Sequence, residues 1–266
     1  MDIVVCIKSV PDTTEVHFDP ETHTLRRDQV ESMINPFDTY AIEEGLRIRE
    51  AHGGTVTVIT MGPPSAEKEL REALAMGCDR AILLSASEFA GADTWATAYT
   101  LAQAIRKLGS YDLILCGKQA IDGDTGQVGP GVAKQLGIVQ LTYVSKVRSL
   151  EPDSGRIVVE RLLEEGREIV SAPLPALLTV LKDINQPRYP TPRALRRARR
   201  ADVPVWGPGD LGDIDRERIG LQGSPTRVVE IFAPPTRERK VQWIEGEDPE
   251  AIADQLADLL LSDQVV

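Results

Sequence analysis

The stretch GKQAIDGDTGQVGPG (117–131) contains the residue types of a phosphate-binding loop. Gly123, Gly126 and Gly129 would let the backbone approach an anion closely and adopt positive φ angles. A helix expected to begin near Gly126 would direct its N–H groups and the positive end of its dipole at the same anion. The stretch therefore predicts a site for a diphosphate.

Four polar side chains in this stretch narrow its chemistry. Thr125 and Gln127 can donate hydrogen bonds to a phosphate. Asp122 and Asp124 would repel one, so they are expected to fix the loop, to bind a ribose hydroxyl or to hold a cation. The loop does not distinguish AMP, FAD and ATP, and a glycine-rich surface turn without a ligand is the alternative interpretation.

A phosphate loop needs a strand before it and a helix after it, and the first half of the chain repeats that pattern. Apolar runs predict buried strands at 3–8, 55–60, 80–85 and 112–117. Runs that are apolar on both faces and alternate with helices indicate a parallel sheet covered on both sides. We expect an α/β fold, a doubly wound, mostly parallel, Rossmann-like sheet that binds an adenine nucleotide.

Three helices are predicted between these strands. Asn35 is the expected N-cap of the first helix, Ser65 of the second, and Asp93 or Thr94 of the third. A hairpin is expected earlier, at 16–27. The glycines expected to end the three helices are Gly53, Gly77 and Gly109.

The second half of the chain has a different pattern. From about residue 140, polar and apolar side chains alternate between turn signals and predict antiparallel strands that extend the sheet. The predicted organisation is an α/β domain over 1–182, a protruding docking arm over 183–202, and an extension over 203–266. An amphipathic helix beginning near Pro249 should end the chain.

Ligands of open α/β sheets bind beyond the carboxyl ends of the strands. The segments expected to meet at that edge are 8–15, 61–64, 85–94 and 117–130, with the helix entry 34–38 beside them. Together they predict a nucleotide crevice.

The stretch GPGDLG (207–212) also matches a dinucleotide-binding pattern, with Glu230 at a suitable distance. Pro208 interrupts the motif, and the residues after it form a poor helix pattern. We interpret this stretch as a turn.

Composition limits the classes of function. The chain has 266 residues and a formal net charge of -11, which argues against general nucleic-acid binding. It has no apolar run long enough to span a membrane and no secretory signal pattern. Its three cysteines predict free, buried thiols in a cytoplasmic protein, and its three histidines show no metal-ligand spacing, so we expect no metal.

Several stretches together resemble the β subunits of electron transfer flavoproteins, over nearly the whole chain. The most specific pair is GKQAIDGDTGQ followed later by NQPRYPT. The other matching stretches are VCIKSVPDT, INPFDTYAIEEGLRI, VTVITMGP, EALAMGCDRAILL and LPALLTVLKDINQPRYPT.

The resemblance implies a heterodimer with an FAD-containing α subunit. In simple carriers of this family the β subunit holds AMP. In the bifurcating branch it holds FAD, which accepts hydride from NADH. One electron then goes to ferredoxin or flavodoxin, and the other goes through the α-subunit FAD to a quinone- or acyl-CoA-linked dehydrogenase. Gly123 and the Val128-Gly129-Pro130 arrangement resemble the bifurcating branch, and any membrane attachment would be through partner subunits.

The resemblance also implies which residues contact the nucleotide, with flavin-based chemistry and no catalytic side chain. Cys6 would be a small packing residue beside the adenine. By matching position, the contacts are Cys6, Lys8, Pro11, Asp12, Asn35, Pro36, Phe37, Asp38, Met61, Gly62, Thr94, Gly117, Lys118, Gln119, Asp122, Gly123, Asp124, Thr125, Gly126, Gln127, Val128, Gly129 and Pro130.

The docking arm of the family corresponds to residues 183–200, which are rich in proline and arginine. Pro192 stands where the simple carriers have an exposed docking leucine, and Leu195 is the nearest leucine. A solvated helix face and an intersubunit salt-bridge surface are the alternatives to docking. The expected docking residues are Arg188, Tyr189, Arg193, Leu195, Arg196 and Arg197.

A stand-alone ATP-binding or ATP-hydrolysing α/β protein is the hypothesis from a different functional class. The chain has no GxxxxGK[ST] loop and no evident nucleophile–base pair, which argues against it.

Overall fold

The structure is a computed structural model that describes residues 1–12, 31–230, 241, 243–246 and 248–262. The hairpin predicted at 16–27 lies outside the described residues. The chain divides into two compact units, Met1–Val229 and Glu230–Val266.

The first unit is built on a nine-stranded sheet, as far as the described residues show. Its strand order is β11-β5-β4-β1-β6-β10-β7-β8-β9. The strands are β1 (Asp2–Cys6), β4 (Thr55–Met61), β5 (Arg80–Leu84), β6 (Leu113–Gly117), β7 (Val139–Glu151), β8 (Arg156–Leu163), β9 (Gly166–Pro173), β10 (Ala176–Val180) and β11 (Val205–Trp206). A separate antiparallel pair consists of β2 (Ser9–Pro11) and β3 (Ser32–Ile34).

Helices cover both faces of the parallel part of this sheet, which confirms the predicted doubly wound fold. Odd and even residues of β1 point to opposite faces, so Ile3 and Val5 enter one core while Val4 and Cys6 enter the other. Because both faces are buried, the strands are apolar throughout. The helices in the first unit are α1 (Pro36–His52), α2 (Glu67–Met76), α3 (Thr94–Leu108), α4 (Val128–Leu136) and α5 (Pro192–Ala198).

The predicted antiparallel extension is present as β7, β8 and β9. The chain then returns through β10, which pairs in parallel with both β6 and β7. All five residues of β10 are buried, as its central position requires. The pattern-based prediction of antiparallel strands over 140–182 therefore fails for β10, because an apolar run does not reveal which neighbours it will pair with.

The helix ends agree with the sequence at their C-termini and differ at two N-termini. Gly53, Gly77 and Gly109 follow α1, α2 and α3. Asp93 caps α3, since its side chain accepts hydrogen bonds from Trp95 N and Ala96 N.

The caps predicted for α1 and α2 are wrong. Asn35 precedes α1, but its side chain makes no capping hydrogen bond. Ser65 lies inside a 3-10 turn, Pro64–Ala66, so that α2 begins only at Glu67. Both side chains have the right chemistry, but tertiary contacts and local geometry decide whether it is used.

The segment after β10 lies against α1 and α2. Arg188 forms ion pairs with Glu43 at 2.8 Å and with Glu50 at 2.5 Å, and both carboxylates belong to α1. Arg71 of α2 donates from Nη1 to the carbonyl oxygens of Ala198 and Ala201, at 2.7 and 3.1 Å. Thr191 caps α5 by accepting from Ala194 N, and these contacts fix the segment to the domain.

The stretch GPGDLG does not form a dinucleotide-binding turn. Pro208–Asp210 is a 3-10 turn that follows β11, and no α-helix begins after it. β11 itself pairs in parallel with β5 at the edge of the sheet.

The second unit contains the predicted terminal helix, α6 (Pro249–Ser262), which starts at the expected proline. No helix among the described residues is long and apolar enough to cross a membrane.

Leu115 tests the packing between β6 and α1. Its side chain is fully buried, and an added Cβ on Gly45 of α1 would lie 3.3 Å from its Cδ1. Leu115→Ala should lower the free energy of unfolding by about 3 kcal/mol, because it removes buried methyl groups and leaves a cavity. Urea denaturation measures this loss.

The matched control is Ile169→Ala on β9, where the side chain is 65% exposed. Its cost should stay below about 1 kcal/mol. Equal losses in the two variants would contradict the packing described for β6.

Candidate nucleotide-binding site

Asp38 joins the carboxyl ends of two adjacent strands. Its Oδ2 accepts a hydrogen bond from Lys8 N, after β1, at 2.8 Å, and its Oδ1 accepts one from Gly117 N, at the end of β6, at 3.0 Å. A Cβ on Gly117 would lie 2.4 Å from Asp38 Oδ1 and 2.6 Å from Phe37 Cβ, so this close approach requires glycine. Burial raises the pKa of Asp38 to about 7, and its hydrogen bonds from Lys8, Asn35 and Gly117 oppose that rise.

Asn35 fixes the loop that follows β6. Its side-chain amide donates to Gln119 O at 2.9 Å, and its Oδ1 accepts from Ile121 N at 3.2 Å. Its own N–H donates to Lys8 O at 2.8 Å. The side chain is therefore committed to the loop, which explains why it does not cap α1.

The two acidic side chains of the loop are also engaged within the chain. Asp122 forms an ion pair with Lys8, whose Nζ lies 2.6 Å from Oδ1 and 2.8 Å from Oδ2. Asp124 accepts a hydrogen bond from the side chain of Gln119. Of the roles considered for these carboxylates, fixing the loop is the one that the contacts support.

The glycines of the loop do three different jobs. Gly126 has a φ of 63°, as predicted, but Gly123 and Gly129 do not have positive φ angles. Asp124 has one instead, at 54°, and a short polar side chain can tolerate that conformation. A Cβ on Gly129 would lie 2.6 Å from Thr179 Cγ2, whereas one on Gly123 would meet no atom within 4 Å.

The helix after the loop begins at Val128, two residues later than Gly126. Gln127 occupies its N-cap position without a capping hydrogen bond. The side chain of Gln127 instead accepts at Oε1 from Thr94 Oγ1, at 2.9 Å. This contact brings the start of α3 to the start of α4.

The other predicted contact residues follow neighbouring strands. Gly62, just after β4 and Met61, donates from its N–H to Leu84 O at 3.0 Å. Pro11 ends β2, and Asp12 N donates to Glu31 O at 2.8 Å beside the small antiparallel sheet. Each lies at a segment expected to border the crevice.

Cys6 and Cys116 are direct neighbours in the parallel register of β1 and β6. Both thiols are buried. A hydrogen bond with Cys6, together with burial, raises the pKa of Cys116 well above its usual value. The Cys116 thiol is therefore neutral and packs as a small apolar side chain beneath the crevice.

Sequence reasoning missed Tyr143. It lies on β7 at a bulge, where two residues face Thr179 alone, and its φ is 56°. Lys118 Nζ lies 5.4 Å from the centre of its ring. No local pattern indicated this pair, because the bulge depends on how β7 pairs with β10.

The expected docking residues do not join this crevice. They lie along α1 and α2, where Arg188 is engaged with Glu43 and Glu50. Tyr189 is 94% exposed, and Leu195 is 41% exposed.

The residues at the crevice fit a nucleotide diphosphate. Lys8 balances the charge of Asp122, while Lys118 and the N-terminus of α4 add positive potential. Open space beside Gly123 leaves the loop backbone accessible. Backbone N–H groups at the first turn of a helix have no partner inside the helix and can bind an anion.

A family comparison decides what kind of protein this is. Residues 22–211 match the model described as the electron transfer flavoprotein domain. The chain belongs to the electron transfer flavoprotein family. Its members described below are named as β subunits or as FixA, and the chain accordingly belongs to electron transfer.

Similarity to individual members of the electron transfer flavoprotein family extends over nearly the whole chain. The protein named electron transfer flavoprotein subunit beta from Thermoanaerobacterium thermosaccharolyticum is 51% identical, covering 95% of each chain. The protein of the same name from Megasphaera elsdenii is 44% identical, covering 100% of both. Protein FixA from Azorhizobium caulinodans is 48% identical, covering 92% of this chain and 89% of the relative.

The ionisation of Asp38 gives this electron transfer flavoprotein a testable pH dependence. Its pKa in the folded chain, about 7, lies above the ordinary value of 3.8. Between these values the folded chain holds a proton that the unfolded chain releases. The stabilisation from this group is therefore complete below about pH 4 and is lost as the pH rises to about 7.

Asp38→Asn removes this titration. The difference in free energy of unfolding, wild type minus variant, should fall by about 1 kcal/mol per pH unit between pH 5 and pH 7 and then level off. Urea denaturation at a series of pH values measures it. A difference independent of pH would show that Asp38 ionises alike in the folded and unfolded chains.

Proposed function

We propose that this chain is the β subunit of a heterodimeric, electron-bifurcating electron transfer flavoprotein and that it binds FAD at the crevice. One observation carries the proposal: Asp38 and Asn35 hold the glycine loop and the start of α4 against the ends of β1 and β6. In this proposal NADH is the hydride donor, and the α subunit provides a second FAD.

The backbone of the loop would bind the diphosphate. Gly126 turns the chain into α4, so that the N–H groups of Val128 and Gly129 lie in the first turn of the helix. The hydrogen bond between Thr94 and Gln127 sets the position of this turn. Because these donors are held by the fold, little ordering would be needed on binding.

The adenosine part would lie over the ends of β1 and β4. Cys6 is a small side chain there, and Gly62 leaves space beside Ala66. Lys8 is held by Asp122 and so cannot turn freely towards a ligand. These residues favour binding of a flat adenine group over any acid–base role.

When bound, the flavin supplies hydride acceptance and one-electron transfer. The side chains of the crevice act by binding it, orienting it and excluding water. The proposed acceptors are ferredoxin or flavodoxin and, through the α-subunit FAD, a quinone- or acyl-CoA-linked dehydrogenase. The exposed Tyr189 and Leu195 support docking of such a dehydrogenase on the 183–202 segment.

The assignment to the bifurcating branch rests on Gly123 and on the Val128-Gly129-Pro130 arrangement, which resemble that branch. Simple carriers of the family hold AMP at the corresponding position. Both nucleotides have the phosphate chemistry that this loop suits, so counting the bound nucleotides decides between them.

The decisive experiment is co-expression of the chain with its α subunit and quantification of the nucleotides released on denaturation. We expect two FAD per heterodimer and loss of flavin absorbance when NADH is added. One FAD with one AMP, and no NADH oxidation, would replace the proposal with a simple carrier. A chain that assembles with no α subunit and hydrolyses ATP would contradict both.

A glycine variant assigns the second nucleotide to this crevice. Gly126→Val forces a β-branched residue to a φ of 63°, although an added Cβ would meet nothing closer than Lys118 O at 3.5 Å. We expect the heterodimer to keep one FAD and to lose the β-subunit nucleotide at least about 10-fold more readily, because the loop can no longer turn into α4.

The matched control is Gly155→Val in the turn between β7 and β8. Gly155 has the same φ of 63° and no atom within 4 Å of an added Cβ. This variant should carry similar backbone strain and retain both nucleotides. Equal nucleotide loss in the two variants would show that general destabilisation, and not the crevice, is responsible.

A further inference from the structure

A cavity of about 730 Å³ lies between α2 and α5. Its walls combine an apolar floor with a rim of guanidinium groups. Leu74, Cys78, Ala198 and Ala201 form much of the floor, and Asp79 lies beside them. The guanidinium groups belong to Arg193, Arg196, Arg197 and Arg200.

This cavity is at the opposite end of the sheet from the nucleotide crevice. Cys78 and Asp79 immediately precede β5, so they mark the amino ends of the parallel strands. The crevice is formed at the carboxyl ends, around Lys8 and Gly117. A ligand in one site therefore does not touch the other.

The positive charge of the cavity is uncompensated. Between Ile184 and Ala201 the sequence has six arginines and no acidic residue. Among the described residues, none of the four arginines of the rim forms an ion pair with a carboxylate. The Asp79 carboxylate is already engaged, because its Oδ2 accepts from Arg49 Nη1 at 2.9 Å and from Val56 N at 2.8 Å.

The floor adds no competing negative charge. Cys78 is buried, and burial raises the pKa of its thiol to about 12. The thiol therefore stays neutral at physiological pH. An anion entering the cavity would meet guanidinium groups above and neutral apolar groups below.

The cavity is preformed by contacts that do not use the four arginines of the rim. Arg71 is paired with Glu67 at 2.6 Å and holds the C-terminal end of α5 through Ala198 O and Ala201 O. Ala198 is buried against α2. The rim is thus presented by a fixed backbone.

We propose that this cavity is a second anion site, which binds a nucleoside diphosphate or triphosphate. Guanidinium groups bind phosphate oxygens through paired, charge-assisted hydrogen bonds. A planar base can lie on the apolar floor or stack on a guanidinium plane. The volume is within the usual range for small-molecule sites, about 300–1,000 Å³.

An acidic protein segment is the competing occupant. Two features favour the small ligand: the guanidinium groups surround a concavity, and the floor beneath them is apolar. A peptide carboxylate would match the charge, but it would leave the floor unused.

The test is calorimetric titration of the full chain with inorganic triphosphate at low salt. We expect one triphosphate per chain at this cavity and the same binding in Gly126→Val, which alters the crevice alone. Arg196→Ala/Arg197→Ala should weaken binding at least about 30-fold, because two charge-assisted contacts are lost. ATP should bind to the Gly126→Val chain more tightly than triphosphate, and adenosine should bind far more weakly.

The matched control is Arg199→Ala/Arg216→Ala, which removes the same charge from exposed positions that do not line the cavity. It should weaken binding by less than about 3-fold. Thermal unfolding checks that each variant folds, and Arg193→Gln/Arg200→Gln offers an independent pair.

Equal losses in the two alanine pairs would overturn the proposal, because binding would then follow net charge and not the cavity. Binding of an aspartate-rich peptide without binding of triphosphate would also overturn it and would indicate a protein-docking surface. Since Gly126→Val changes only the crevice, failure of the nucleotide count leaves this result independent.

Discussion

Asp38 joins the ends of β1 and β6 through two backbone hydrogen bonds, from Lys8 N at 2.8 Å and from Gly117 N at 3.0 Å. A carboxylate is suited to this task because each oxygen can accept one N–H without a competing donor. The cost is burial of an ionisable group, which the raised pKa of Asp38 expresses. The edge of the sheet where the ligand is proposed to bind is thus held by a group that would be more stable in water.

Everything else at the crevice depends on that junction. Asn35 and Lys8 can reach the loop only because Asp38 brings the start of α1 to the end of β6. Asn35 binds the backbone of the loop, and Lys8 binds the side chain of Asp122. The loop is then aimed at α4 by Gly126, while Gly129 allows α4 to pack tightly against Thr179 of β10. Sequence positions more than eighty residues apart are therefore parts of one site.

Local pattern predicted the strands, the helices and the phosphate loop, because apolar periodicity and glycine placement are properties of neighbouring residues. It did not predict the use of Asn35, whose partners Gln119 and Ile121 are distant in sequence. For the same reason it missed the insertion of β10 between β6 and β7 and the strained bulge at Tyr143. Strand pairing is a long-range choice, and one apolar run such as ALLTV suits several neighbours equally well.

Helix α1 connects the crevice to the 183–202 segment. It begins at Pro36, beside Asn35 and Asp38, and its 17 residues span about 25 Å. Along its length Tyr40 O and Glu44 accept from Asn185, and Glu43 and Glu50 bind Arg188. Since the Arg188 guanidinium spans two carboxylates one or two turns apart on the same helix, the chain cannot move along α1 without breaking several contacts at once. The segment proposed to dock a partner is therefore held at a fixed distance from the proposed flavin site, and electron transfer depends on that distance.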